Sequence, residues 1–369
     1  MAEPMRIGHI TWITYPNFGT YLQAYALQKA ISCLGYESRI IDDIRFTYLY
    51  ASKRHLIRKA IGLLIHPAAN FRWFKSRHEL LSPFNRFKKR YLIVDKGWKT
   101  EESLVKRYNG FVCGSDQIWS PLLPSQHGGF YFASFAKKNK IAYAPSLGST
   151  SIPEEQKSLY KGWLDSFDAI AMREDTASVA VSNLLGKGIP TVLDPTLLLT
   201  GEEWSEIAKE PKTKHPYILC YFLTYNKKYI DYTRNIGKVL KLDTVFLGDT
   251  QEVRELSDVR LKGTGPAEFL GLVRNAEMVI TDSFHGTIFS IVFNRRFVTL
   301  KRFKNSDPKN QNSRIENLFR QLGIDGFYSE ESIDSGNVEF VSDFGLINES
   351  LSQLKSKSIA YLQKSLCKI

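Results

Sequence analysis

The chain has 369 residues, 43% hydrophobic, 13% aromatic and 24% charged, a globular composition that excludes disordered, collagenous and coiled-coil classes. At this length two domains are expected, each large enough for its own core. The formal net charge is +12, which favours anionic partners without naming one.

Cys33, Cys113, Cys220 and Cys367 lie far apart, with no CxxC or Cys/His spacing, so neither a zinc site nor a disulfide framework is expected. No His/Asp/Glu cluster has ligand spacing either, and no metal is expected. The start, MAEPMRIGHI, lacks a basic region followed by a long apolar run, and stretches such as 61–65 are too short to span a bilayer. A soluble, cytoplasmic protein is the expectation.

In chain order, 6–13 reads as a strand, 14–19 as loop and 21–34 as a helix with apolar residues at helical spacing. Residues 36–41 resume as a strand. Between Ala51 and Lys99 thirteen Lys/Arg face only Glu79 and Asp95, a local charge of +11. Aromatic and aliphatic residues interleave with them. That mixture suits an anionic membrane surface or a phosphorylated lipid head group, or RNA, or is simply a solvated helical insertion. Strands follow at 110–113, 141–144, 169–172 and 191–193, alternating with helices as in a parallel sheet. The polar stretch 200–216 reads as a linker. The pattern then restarts: strands at 217–223, 244–247, 278–281 and 297–300; helices at 227–240, 266–275, 284–293 and 313–322; and a closing amphipathic helix at 346–366.

Ligands of open α/β sheets bind beyond the carboxyl ends of strands, and four motifs sit there. In Tyr15-Pro16-Asn17-Phe18-Gly19-Thr20, Gly19 permits close backbone approach and Thr20 is expected to cap the helix, whose free N–H groups suit an anion. With no GxGxxG or Walker lysine, it is otherwise a turn and cap. Gly114-Ser115-Asp116-Gln117-Ile118-Trp119 offers polar groups beside an indole for sugar hydroxyls, or a capped helix start. In Met172-Arg173-Glu174-Asp175, Arg173 presents a forked cation for carboxylate or phosphate, or pairs with its acidic neighbours.

The sharpest is Thr281-Asp282-Ser283-Phe284-His285-Gly286-Thr287. His285 falls in a helix's first turn, where the charged form is disfavoured and proton exchange near neutrality is favoured. Asp282 stands ready to orient it, with Ser283 and Thr287 beside it; a structural histidine is the alternative. Lys301, Arg302, Lys304, Lys309 and Arg314 follow the next strand, to screen a charged substrate or to decorate a loop.

Taken in order, NFGTYLQAYALQ, GSDQIW, KIAYAPSLG, MREDTA, LDPTLLL and ITDSFHGTIFSIVFNRRFV resemble the polysaccharide pyruvyl transferase family, over islands from about Arg6 to Arg314. The resemblance implies an α/β fold of two Rossmann-like domains facing across a cleft, as in glycosyltransferase-B enzymes. The acceptor-side domain would be 1–199, with a basic helical insertion at about 45–100. The donor-side domain would be 200–345, and 346–369 a C-terminal helix.

It implies transfer of the pyruvyl group of phosphoenolpyruvate to a sugar as a cyclic ketal, with phosphate released and no cofactor. The acceptor would belong to a capsule, exopolysaccharide or cell-wall glycan precursor, with a lipid diphosphate in the cytoplasmic leaflet as its candidate carrier. His285 matches the family's histidine and is expected as general acid or base. Arg173 matches its arginine and is expected to hold the donor's carboxylate or phosphate. Lys301 and Lys304 both lie near the family's lysine, but neither has its Asp-Pro-Lys context, and Arg314 is the other candidate. Asn17 and Ser115-Asp116-Gln117 would face the acceptor sugar. The alternatives are a sugar-nucleotide glycosyltransferase of the same architecture and a basic membrane or nucleic-acid adaptor; the latter leaves His285 and the strand-end motifs idle.

Overall fold

The computed structural model describes residues 3–42, 67–122, 129–213, 215–248, 256–257, 263–304, 307 and 310–369. Lys53, Arg54, Arg58, Lys59 and Lys309, and the side chains of Arg72, Lys75 and Arg77, lie outside that description.

Short, almost wholly buried apolar runs build two parallel sheets, the pattern expected of strands covered on both faces. The first contains β1 (Arg6–Ile10), β2 (Glu37–Ile41), β3 (Val94–Asp95), β4 (Gly110–Cys113), β5 (Lys140–Tyr143) and β6 (Ala169–Ala171) in the order β3-β2-β1-β4-β5-β6. The second contains β7 (Tyr217–Phe222), β8 (Asp243–Gly248), β9 (Met278–Thr281), β10 (Phe297–Leu300) and β11 (Phe327–Tyr328) in the order β11-β10-β9-β7-β8. Every pairing is parallel. Strand order reverses between β1 and β4 in one sheet and between β7 and β9 in the other. Those reversals open the crevices in which such sheets bind ligands.

Helix α1 (Phe18–Cys33) starts earlier than its apolar spacing predicts, because the Asn17 side chain accepts the Thr20 backbone N–H; Asn17, not Thr20, is the cap. The basic segment is no appended insertion. Its helix α2 (Pro67–Tyr91) buries Phe84 and Phe87, at 2% and 3% exposure, against Tyr21 and Tyr25 of α1, and the chain returns to the sheet as β3. Two buried phenylalanines are worth about 1.5–3 kcal/mol each, enough to hold α2 in place. Lys88 is buried too, 3.9 Å from Asp42, so only Arg86, Lys89 and Arg90 form an exposed basic stripe on its last turns.

Residues 191–193 form no strand; Thr191 makes one parallel bridge to Met172. The chain turns instead at Asp194, whose side chain caps the tight turn Pro195–Leu198. Nor is 200–216 a loose linker. Thr200 and Glu203 make a reciprocal capping box on α6 (Gly201–Ser205). Trp204, fully buried, packs between Tyr25 of the first domain and Phe289 of the second and donates its indole N–H to the Thr196 carbonyl at 3.0 Å. The last helix, α12 (Gly345–Leu366), begins against the second domain at Ile347. It ends on the first, with Leu362 and Leu366 beside Ile7, Leu27 and Tyr143. The domains therefore share core at Trp204 and along α12.

Trp204→Ala should destabilise the protein by about 3–5 kcal/mol, the usual cost of deleting a buried tryptophan. A urea-midpoint loss below about 1 kcal/mol would show that this junction is not shared core.

Candidate active site

The two strand-order reversals face each other. From the first domain, Trp12, Tyr15, Asn17 and Thr20 follow β1, and Asp116 and Gln117 follow β4; from the second, Leu223 follows β7, Asp282, Ser283 and His285 follow β9, and Arg302 follows β10. Together with Asn312 and Arg314 they line a cleft of about 190 Å³. Past Tyr15 a wider groove, about 700 Å³, runs between α2 and the end of β8. A cavity of about 750 Å³ on another face, between Thr200 and Lys355, holds none of these strand-end residues, so size alone does not mark the site.

Three helix N-termini point into the cleft. They belong to α1, to α9 (Phe284–Val292) and to α10 (Ser313–Leu322), whose cap positions Asn17, Ser283 and Asn312 all line it. Each carries partial positive charge and free N–H groups, a setting for anions. The cations agree. Arg302 and Arg314 make no ion pair among the described residues; Arg314 donates only to neutral Gln311, at 2.8 Å to its side-chain oxygen. Arg302 Nε is buried without a hydrogen-bond partner. Burial, with like charge from Arg173 and Arg302, pushes Arg314 down to about 10, and Glu174 and Asp116 oppose it. Arg314 stays protonated at neutrality and gains from any anion that arrives.

Arg173 pairs with its acidic neighbour Glu174, the second of the two readings its motif allowed. It is 3% exposed, donates to Glu174 at 3.0 Å and to Asp194 at 2.9 Å, and lies 4.0 Å from Asp116. Burial disfavours its charge, but Glu174, Asp194 and Asp116 outweigh this and hold its pKa above the usual range. Only Nη2 lacks a partner. Its fork is already filled by protein carboxylates.

Asp194 went unrecognised as a site residue in the sequence, where Asp-Pro reads as a turn. Its side chain is fully buried and accepts from the Thr196 backbone N–H at 3.0 Å and hydroxyl at 2.6 Å. Burial opposes its ionisation, yet His285, Arg173 and Thr196 hold the carboxyl well below the usual carboxylate range. His285 Nε2 lies 3.8 Å from it. On the other edge of the imidazole, a Cβ on Gly19 would fall 1.9 Å from Nδ1, so the close approach at Gly19 is to this ring.

Other residues are placed as follows. Thr20 donates its hydroxyl to Asp116 at 2.9 Å, and Gln117 bridges the domains by donating to Gln311 at 2.9 Å. Asp116 holds φ +71°, a left-handed conformation sustained by its surroundings. Ser115 is buried and spent on the Ala144 carbonyl at 2.7 Å. Ser283 caps α9 through Gly286 N–H. Lys301 lies over the Phe327 ring, and neither it nor exposed Lys304 belongs to the cleft lining. Among the described residues no group of three or more His, Cys, Asp or Glu could hold a metal ion, and no helix is long and apolar enough to cross a membrane.

Asp282 does not orient His285: its oxygens accept from Leu223 N–H at 2.7 Å and the Thr224 hydroxyl at 3.1 Å. Burial pushes its carboxyl from 3.8 up to about 6, despite those donors and Arg302. The folded state then binds more protons than the unfolded between these values, so stability contributed by this group falls as pH rises through that window. The swing is at most about 3 kcal/mol. The melting temperature of Asp282→Asn, relative to the native protein, should therefore rise from pH 4 to pH 7; parallel pH profiles would contradict it.

No curated protein matches the chain. Among solved structures, a glycosyltransferase from Rickettsia africae ESF-5 aligns over 100% of both chains with 11% identity and a TM-score of 0.51. A UDP-GlcNAc 2-epimerase from Methanocaldococcus jannaschii covers 96% of this chain and 99% of its own, with 13% identity and a TM-score of 0.47. At such identity the likeness to the glycosyltransferase concerns the fold alone, which is glycosyltransferase-B-like. The model of the family named polysaccharide pyruvyl transferase matches residues 17–302, from the cap of α1 through the Arg302 that closes the cleft. The chain belongs to the polysaccharide pyruvyl transferase family.

Proposed function

We propose that the protein transfers the pyruvyl group of phosphoenolpyruvate to two hydroxyls of a sugar in a polysaccharide precursor. The observation that carries this is that Arg302 and Arg314, which make no ion pair among the described residues, line the cleft with His285 where three helix N-termini meet. Phosphoenolpyruvate brings a carboxylate and a phosphate on one small frame, and two convergent guanidiniums suit it.

In the proposed reaction a proton adds to the donor's methylene carbon and leaves an oxocarbenium-like centre at its neighbour. One sugar hydroxyl attacks that centre and loses its proton. Phosphate then departs with its bonding pair, and a second hydroxyl closes the ketal and releases the other proton. His285 is the general acid or base. Arg302 and Arg314 hold the anionic groups, and Arg173 stands behind them, fixing Asp194 and stacking 4.8 Å from the Phe284 ring. Asn17, Thr20, Asp116 and Gln117 face the acceptor, with Trp12 and Tyr15 as apolar surfaces for a sugar ring. No cofactor or metal enters this scheme.

Phosphoenolpyruvate should raise the melting temperature by mass action. Arg302→Ala and Arg314→Ala should each weaken its binding about tenfold or more, as a lost charge-assisted hydrogen bond does. His285→Ala should bind it and lose about 10²–10⁴-fold in turnover. A shift with a nucleotide sugar and none with phosphoenolpyruvate would overturn the donor and favour a glycosyltransferase.

The exposed stripe of Arg86, Lys89 and Arg90 suits an anionic carrier lipid or membrane surface. Charge reversal at Lys89 and Arg90, leaving buried Lys88 intact, should weaken binding to phosphatidylglycerol vesicles. Unchanged binding would remove membrane contact from the proposal.

A further inference from the structure

We propose that Asp194, carried by the first domain, is the positioning residue for His285, carried by the second, so that the acid–base group is complete only when the domains close on each other. The inference rests on the proposed role of His285 and names what controls it.

The carboxylate has no freedom to turn. One oxygen accepts both the backbone N–H and the hydroxyl of Thr196, at 3.0 and 2.6 Å, and the other accepts Arg173 Nη1 at 2.9 Å. That second oxygen is the one that faces His285 Nε2, which is buried and has no hydrogen-bond partner. Gly19, also from the first domain, bounds the opposite edge of the ring at Nδ1. The imidazole is thus gripped on both edges by one domain while its helix, α9, belongs to the other. A carboxylate on one ring nitrogen selects the tautomer and fixes the ring plane.

At 3.8 Å the pair is within ion-pair reach but too far for a hydrogen bond. Bonds of this kind tighten when substrate arrives, and here less than about 1 Å of closure reaches hydrogen-bond range. Asp282, the nearest acid in the sequence, does not compete, because its oxygens serve Leu223 and Thr224.

Long-range ¹H–¹⁵N spectra of ¹⁵N-histidine-labelled protein read the tautomer directly, with His285→Gln identifying the resonances. With phosphoenolpyruvate bound, or inorganic phosphate as the simpler probe, the native protein should show one tautomer with the proton on Nε2. Asp194→Asn should lose that preference, and should lower kcat at least about 10²-fold with unchanged phosphoenolpyruvate affinity. An unaltered tautomer in folded Asp194→Asn overturns the inference. Should that variant not fold, Thr196→Val keeps the charge but frees the carboxylate to turn; a weakened Nε2–H preference supports the inference, and an unchanged one overturns it. The tautomer is read without turnover, so failure of the donor or of proton transfer by His285 shows separately, as intact turnover in His285→Ala or no response to phosphoenolpyruvate.

Discussion

Burying Asp116, Arg173, Glu174 and Asp194 together, with the Asp194 side chain wholly inside, is the constraint on which the rest of the site depends. Such a cluster costs several kcal/mol per ion in lost hydration and persists only where geometry repays it. The four residues come from two strand ends and one bridge: Asp116 after β4, Arg173 and Glu174 after β6, and Asp194 after the bridge from Met172 to Thr191. To pair them the sheet must hold its register, and the turn at Asp194-Pro195 must stand where a strand would otherwise continue. The same cluster then places Thr20, through Asp116, and faces His285.

Net charge does not identify this cleft. Its acids and bases nearly balance, with Asp282 and Asp116 set against Arg302 and Arg314 on the lining itself. Hydrogen-bond supply is what stands out. On the lining, Arg302 Nε is a buried donor without a hydrogen-bond partner and Arg314 donates only to Gln311, and three helix N-termini add free N–H groups. Buried donors left unmatched are costly. An acceptor-rich ligand relieves several of these costs at once, which is a stronger pointer to a carboxylate or phosphate than the overall charge of +12.

Much of this was legible in the residues. Alternating short apolar runs and helical spacing predict nearly every strand of both sheets, and strand-end placement leads to Asp116, Gln117, Asp282, His285 and Arg314 around one cleft. What was not legible depends on side chains meeting across the chain. Pairing of Arg173 with its neighbour Glu174 was one of two local readings, but nothing local says that its fork also reaches Asp194, 21 positions away. Nothing local says that Asp282 turns to Leu223 while Asp194 faces His285. Proximity in sequence favoured the wrong carboxylate. The basic segment misled in the same way, since its charge pattern hid Phe84 and Phe87 and the burial of Lys88.

Closure gives the division of labour between domains a chemical reason under the proposed reaction. An oxocarbenium-like centre reacts with water as readily as with a sugar hydroxyl, so protonating the donor in an open cleft would consume it by hydrolysis. A histidine that depends on the opposite domain for its tautomer and its ring plane is not in position until the cleft has shut and water has left. Gln117 to Gln311, and Asp175 to Arg320 and Asn317, join the same two domains around the cleft. Those contacts are polar and partly exposed, unlike the shared core at Trp204. Polar links of that kind are weak, so this edge of the cleft holds the domains together less firmly than their shared core does.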